Sequence, residues 1–203
     1  MRSAIRQYST AIRTMLVLTV ILGVAYPLAV TAVAQLGLSG QANGSLVTDR
    51  GHVVGSGLLG QLFSDSKGNP LAQWFQPRPS AAGAGYDPLA SSGSNLGPSS
   101  KVLVQLIEQR RAQVAAFNHV AASAVPPDAV TASGSGLDPD ISPAYAYLQV
   151  DRVAAARGLA ATTVRQLVAA HVQGRQLGFL GDSVVNVLQL NLALADLGST
   201  SKH

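Results

Sequence analysis

No Asp, Glu, Lys or Arg occurs between positions 14 and 48, and the core of that run, residues 15–36 (MLVLTVILGVAYPLAVTAVAQL), is almost entirely apolar. A helix rises about 1.5 Å per residue, so this core reaches roughly 33 Å, against a hydrocarbon thickness of about 30 Å. Arg2, Arg6 and Arg13 precede it, and no acid occurs before Asp49. Cationic flanks stay on the cytoplasmic side of a membrane. The pattern predicts a single-pass protein of the plasma membrane, with a cytoplasmic basic segment over 1–13, a transmembrane helix over 14–36 and an extracytoplasmic domain over 37–203. A cleaved signal peptide would use Ala32-Val33-Ala34 as its A-x-A site, but signal cores run about 7–15 residues and this one is longer, so the anchor is the favoured reading. Pro27 falls mid-span, where neighbouring groups can satisfy the carbonyl it frees. Gly23, Ala25, Ala29, Ala32 and Ala34 either admit a second helix closely or simply reflect a chain rich in small residues.

The net charge of +4 misleads. Three of the fourteen Lys and Arg precede the apolar run, which leaves eleven against ten acids beyond it. A nucleic-acid partner requires a concentrated cationic face, and the nearly neutral outer segment offers none. There are no cysteines, so a disulfide framework is excluded. Aromatics make up only 5%, which predicts a core of Ala, Val and Leu.

Past a glycine-rich exit over 37–45, Leu46-Val47 and His52-Val53-Val54 read as short strands about the turn Asp49-Arg50-Gly51. Residues 64–98 form a long irregular stretch rich in Gly, Pro and Ser. Loops of this length are uncommon and usually functional or disordered; Trp74, Phe75 and Tyr86 predict an ordered loop with anchors. Residues 99–120 read as an amphipathic helix with Val102, Leu103, Leu106, Ile107, Val114 and Phe117 on one side. Ser142-Pro143 is a cap and first-turn pair opening a helix to Arg157, stopped by Gly158. Residues 162–173 form another helix. Residues 184–194 fit a strand by the alternation of Leu188, Leu190, Leu192 and Leu194, and a helix by Leu188, Asn191, Leu192 and Ala195; a strand running into a short helix is the favoured reading. The fold class is therefore a single N-terminal transmembrane helix plus a mixed α/β extracytoplasmic domain.

Gly55-Ser56-Gly57-Leu58-Leu59-Gly60 matches G-x-G-x-x-G after a strand-like pair. A dinucleotide site also needs a helix at the third glycine and an acid about twenty residues on; Ser80 stands there, so a turn requiring positive φ is favoured. The sequence contains no G-x-x-x-x-G-K-[ST], no H-E-x-x-H and no G-x-S-x-G, which removes the usual signatures of a phosphate loop, a zinc protease and a hydrolase elbow. His52, His119, His171 and His203 are scattered. Asp138 and Asp140 either share a cation or, as favoured, close an Asx-turn or cap a helix. Arg78 either binds an anion or a partner's carboxylate, or pairs with Asp87 inside its own loop.

Three stretches resemble one family: WFQPRPSAAGAGYDPLASSGSNLGP over 74–98, TASGSGLDPDISPAYAYLQVDRVAAARGL over 131–159, and GRQLGFLGDSVVNVLQLNLAL over 174–194. Together with one N-terminal span they are similar to the C subunits of the Kdp potassium-transporting P-type ATPases. The resemblance covers nearly the whole chain. It departs in AAGAGYDP, with extra small residues before Tyr86, and in Gly181-Asp182-Ser183, which lacks a proline common in the family. The resemblance implies an accessory subunit of a high-affinity potassium import complex, beside a channel-like A subunit, an ATP-hydrolysing B subunit and a small F peptide. The complex uses ATP and Mg; no cofactor is implied to bind this chain directly, and none of its residues is implied to be catalytic. The family's C subunit is described as needed for assembly and activity, and as a catalytic chaperone raising the B subunit's affinity for ATP. That last role conflicts with the topology, because ATP lies on the other side of the membrane. The implied partner-contact residues are Arg78, Pro79, Ser80, Tyr86, Asp87, Ser94 and Asn95, supported by Leu137, Asp138 and Pro139. The competing reading is a secreted or membrane-anchored solute-binding module acting alone.

Overall fold

The structure, a computed structural model, describes residues 2–200, with side chains over 4–197; His203 and the side chain of Arg2 lie outside the described residues. The chain divides into two compact units after Leu46. In the first, α1 (Arg2–Val20) passes through a π-helical turn (Ile21–Ala25) into α2 (Tyr26–Gly37), and a single turn, α3 (Ser39–Ala42), follows. Residues Ala4–Gly37 have a mean hydropathy of 2.3 over their most apolar window and bury nothing within the chain. The π turn has a local cause. Pro27 lacks an N–H, and its ring would strike the carbonyl of Gly23 four residues back. The backbone widens there instead, and Tyr26 N–H bonds to Ile21 O, five residues back.

The second unit begins with β1 (Leu46–Asp49) and β2 (His52–Ser56), which form a two-stranded sheet. Arg50 (φ 48°) and Gly51 (φ 83°) make the connecting turn, the positive-φ pair that a two-residue hairpin requires. The long loop holds only a 3₁₀ turn at Pro88–Ala90 and a bridge between Ser64 and Pro70. It is nonetheless anchored as expected: Phe75 is fully buried and Tyr86 nearly so, and Trp74 packs 5.9 Å from the Phe63 ring.

Next comes α4 (Lys101–Asn118), closed by His119 in the left-handed region (φ 56°). Leu103, Leu106, Ile107, Val114 and Phe117 are half-buried, whereas Val102, expected on the same face, is 54% exposed. Then follow β3 (Asp140–Ile141), α5 (Pro143–Leu148), α6 (Val150–Arg157), α7 (Ala161–His171), β4 (Val172–Gln173), β5 (Val184–Asn186) and α8 (Val187–Thr200). Ser142 caps α5 by accepting Tyr145 N–H, and Gly158 (φ 65°) ends α6, as the sequence predicts.

Two boundaries differ from expectation. The helix expected to run from Pro143 to Arg157 tightens at Gln149, whose N–H bonds to Ala146 O three residues back. The helix expected over 162–173 ends at His171, because Val172 and Gln173 pair with Val185 and Val184. The resulting antiparallel sheet has the order β3-β5-β4. A strand does run into a helix after Val184, but the strand is three residues and the helix fourteen, with Leu190 and Leu194 one turn apart and fully buried.

The core is aliphatic: Val150, Val153, Val164, Val168, Val185, Leu190 and Leu194 are all at 0% exposure, as is Phe75, which belongs to the same cluster. Burying an aliphatic side chain of this kind contributes about 1.5–3 kcal/mol.

Candidate functional site

The irregular segment 72–98 is held by polar side chains reaching it from helices. Asn191 on α8 accepts Phe75 N–H and donates to Phe75 O, both at 2.9 Å. Gln149, fully buried, accepts Gln76 N–H at 2.7 Å and donates to Gln76 O at 3.1 Å. Each amide thus does for one residue what a neighbouring strand would do, which satisfies main-chain groups that have no ladder. Arg152 donates to the carbonyls of Ala72 and Trp74, to Gln149 Oε1 and to Asn118 Oδ1. Its guanidinium also lies 4.4 Å over the Phe117 ring. Burial pulls its pKa down to about 10, still far enough above neutrality to keep it charged. Arg157 donates to Gln73 O at 2.7 Å and covers the Trp74 ring at 4.1 Å.

The second half of the loop is zipped to residues 131–140. Arg78 pairs with Asp138 at 2.8 Å and donates to Thr131 O. Its partner is therefore Asp138 and not Asp87; Asp87 instead accepts Leu89 N–H at 2.9 Å and caps the 3₁₀ turn. Asp138 also accepts Asp140 N–H at 3.0 Å, the Asx-turn expected of it. Ser80 Oγ donates to Gly136 O at 2.6 Å and accepts Tyr86 N–H at 2.9 Å. Tyr86 takes the left-handed conformation (φ 57°), and its hydroxyl donates to Arg78 O at 2.8 Å. Pro79 is half-buried on the same strip. Leu137 O accepts Gly60 N–H, and Pro139 O accepts Val187 N–H, tying the strip to the rest of the domain. Ser94 and Asn95 differ: both are exposed, with Asn95 at φ 52°.

Gly55, Gly57 and Gly60 all lie outside the positive-φ region, so the expected turn is not their reason. A Cβ on Gly55 would sit 2.9 Å from Leu188 Cδ2, and one on Gly60 would strike the Tyr86 ring and approach Asp138 O at 2.7 Å. Close packing explains Gly55 and Gly60, and no helix opens after Gly60.

Electrostatics follow from burial. Desolvation first, and then the Asp138 charge, raise the Tyr86 pKa. Desolvation also raises Tyr145 and Asp140, the latter aided by Asp138. Folded phenols keep their protons where unfolded ones ionise, so the folded state binds more protons above about pH 10 and stability falls with rising pH there. Arg152 acts in the opposite sense in that range, and a single-site comparison removes its effect. Tyr86→Phe is expected to lose about 1–2 kcal/mol at neutral pH, by orphaning Arg78 O, and to show a shallower stability loss above pH ~10. Urea unfolding of the two proteins at neutral and alkaline pH checks both.

An open cleft borders the clamp, lined by Arg78, Ser80, Gly85, Arg110, Gln113 and Tyr145. Arg110 donates to Val130 O at 3.1 Å, so both guanidiniums of the cleft serve the chain's own backbone. Among the described residues, no group of three His, Asp or Glu is placed to hold a metal.

The sequence reading gave Gln149 and Arg152 no part, and placed Arg157 and Asn191 only as helix positions. Their signal is present as polar residues interrupting otherwise apolar helix faces, which predicts buried partners without saying which.

These features define a class: a small domain with a clamped irregular loop, carried on one N-terminal apolar helix long enough to cross a bilayer. Residues 8–196 match the family described as KdpC: K+-transporting ATPase, c chain. Over 190 residues the chain is 56% identical to a potassium-transporting ATPase KdpC subunit of Kineococcus radiotolerans, covering 94% of this chain and 93% of that one. It is 50% identical to the KdpC subunit of Mycobacterium bovis over 93% and 97% of the two chains. To that of Caulobacter vibrioides it is 53% identical over 91% and 90%. The chain belongs to this family, the C subunit of the potassium-transporting ATPase complex.

Proposed function

We propose that the chain is a non-catalytic accessory subunit of an ATP-driven potassium importer, acting from the outer face of the plasma membrane by contact with the channel-like and ATP-hydrolysing subunits. The observation that carries this reading is the fate of the loop's reactive side chains. Arg78, Ser80, Tyr86, Asp87 and Asp138 all bind groups of the same domain, as residues that shape a surface do. In the contact surface so formed, Pro79, Leu137 and Pro139 complete the frame, and the exposed Ser94 and Asn95 meet the partner. ATP and Mg belong to the complex. An influence on ATP affinity reaches the ATPase subunit as coupling through the membrane helices rather than through nucleotide bound to this chain.

Two measurements test this reading. The cysteine-free background permits single labels: Ser94→Cys is expected to react with a membrane-impermeant maleimide in intact cells, and Ser9→Cys only after lysis. The opposite pattern would place the domain inside and end the proposal. The full-length chain in detergent is expected to show no saturable binding of micromolar ATP, whereas potassium-stimulated ATP hydrolysis by the purified complex is lost when this subunit is omitted. Asn95→Gly keeps the positive φ and removes the side chain, so it is expected to leave thermal unfolding unchanged while weakening recovery of the complex about tenfold.

A further inference from the structure

Arg110 and Tyr145 line the open cleft beside the clamp, which has a volume of about 360 Å³. Tyr145 is only 3% exposed, and burial raises its pKa, so the phenol keeps its proton. Its main-chain N–H is bonded to Ser142. Its hydroxyl has no hydrogen-bond partner among the described residues, and it is not sealed inside the core. A tyrosine hydroxyl in so buried a residue ordinarily finds a partner. Arg110 is half-buried on α4. One of its N–H groups bonds to Val130 O at 3.1 Å, which leaves most of its planar set of donors unused. It pairs with no carboxylate among the described residues. The second guanidinium of the cleft, that of Arg78, is neutralised by Asp138 at 2.8 Å. No Asp or Glu among the described residues lines the cleft. The positive charge of Arg110 is therefore uncompensated, and it lines the same cleft as a spare phenol donor.

We propose that the cleft binds a small monocarboxylic acid as its anion, with the carboxylate held by Arg110 and the Tyr145 hydroxyl. Charge selects a monoanion: with Arg78 already paired, Arg110 balances one carboxylate and leaves the second charge of a phosphate or a dicarboxylate unmet. Geometry selects the carboxylate, because its two oxygens match the guanidinium fork and still accept from a phenol. Leu62, Pro77 and Val114 supply an apolar wall for a short hydrocarbon body. The volume stands at the low end of the roughly 300–1,000 Å³ of small-molecule sites, which suits an acid of a few carbons and not a long acyl chain. An acidic side chain of a neighbouring subunit carries the same head group, and the test separates the two sources.

The test uses the full-length chain in a nonionic detergent and a carboxylate-free buffer, with butyrate as the probe and saturation-transfer NMR as the readout. Butyrate is expected to bind saturably, and to be displaced by acetate but not by inorganic phosphate at the same concentration. Arg110→Gln is expected to weaken binding about tenfold or more, and Tyr145→Phe about threefold or more. The unfolding midpoint of Tyr145→Phe should equal that of the parent, because the hydroxyl has no partner within the domain to lose. A hydroxyl with a merely structural role would move the midpoint and leave butyrate binding unchanged. No saturable binding by the parent, or an affinity unchanged by either substitution, overturns the site. Displacement by phosphate as effective as that by acetate overturns the carboxylate assignment. In the purified complex butyrate binding is expected to persist; its loss there would overturn the free acid and assign the cleft to a carboxylate of a neighbouring subunit.

Discussion

Replacing Arg152 by alanine is expected to destabilise the second unit by about 3–5 kcal/mol, enough to lower its melting midpoint by roughly 8–16 °C in a chain of this size. The side chain is only 6% exposed and has no carboxylate partner among the described residues. Its charge is met by the carbonyls of Ala72 and Trp74, by Gln149 and Asn118, and by the Phe117 ring. Truncation removes a donor from each of those oxygens, although Gln149 Oε1 keeps Gln76 N–H, and opens a gap beside Phe117. Arg152→Lys is expected to recover less than half of the loss, because one ammonium cannot reproduce a planar fork that reaches four acceptors. Thermal and urea unfolding of the full-length chain in detergent would check this; a loss below about 1 kcal/mol would mean that these carbonyls find other donors.

Gly136→Ala is expected to release the clamp between the long loop and residues 131–140. Gly136 has φ +70°, and a Cβ there would lie 2.7 Å from both Ala82 Cβ and Ser92 O and 2.8 Å from Ala82 N. Two of these neighbours are backbone and cannot swing aside. Gly136 O also accepts from Ser80, so any shift breaks that bond. Positive φ and overpacking together are expected to cost about 3 kcal/mol or more. Because the loop rather than the Val and Leu core moves, recovery of the complex is expected to suffer more than global unfolding does. Limited proteolysis between residues 76 and 98 checks the mechanism: accelerated cleavage is expected, and unchanged protection would contradict it.

What was legible in the sequence was what local rules decide. The span follows from composition alone. The ends of α5 and α6 follow from Ser142, Pro143 and Gly158, which act within one turn of themselves. The turn at Arg50-Gly51 likewise needs only its own residues. The misread features are set by distant partners. Gln149 breaks a helix because its side chain is engaged with Gln76, 73 positions away. Arg78 prefers Asp138, 60 positions away, over the nearby Asp87. Val172 and Gln173 leave their helix because β5 supplies a ladder. Gly60 is glycine because Tyr86 occupies the space beside it, and no spacing rule encodes that. The clamp was legible as an ordered loop with aromatic anchors, while the arginine and amide side chains that hold it became visible only in the fold.

The most direct test of the central claim is affinity purification of the tagged full-length chain from mild-detergent membranes of potassium-starved cells, with the co-purifying proteins identified by mass spectrometry. A P-type ATPase subunit and a multi-span channel-like subunit are expected in amounts equal to the chain. Recovery of the chain alone, with its mature N-terminus at Gln35, would contradict it and point to a secreted solute-binding module.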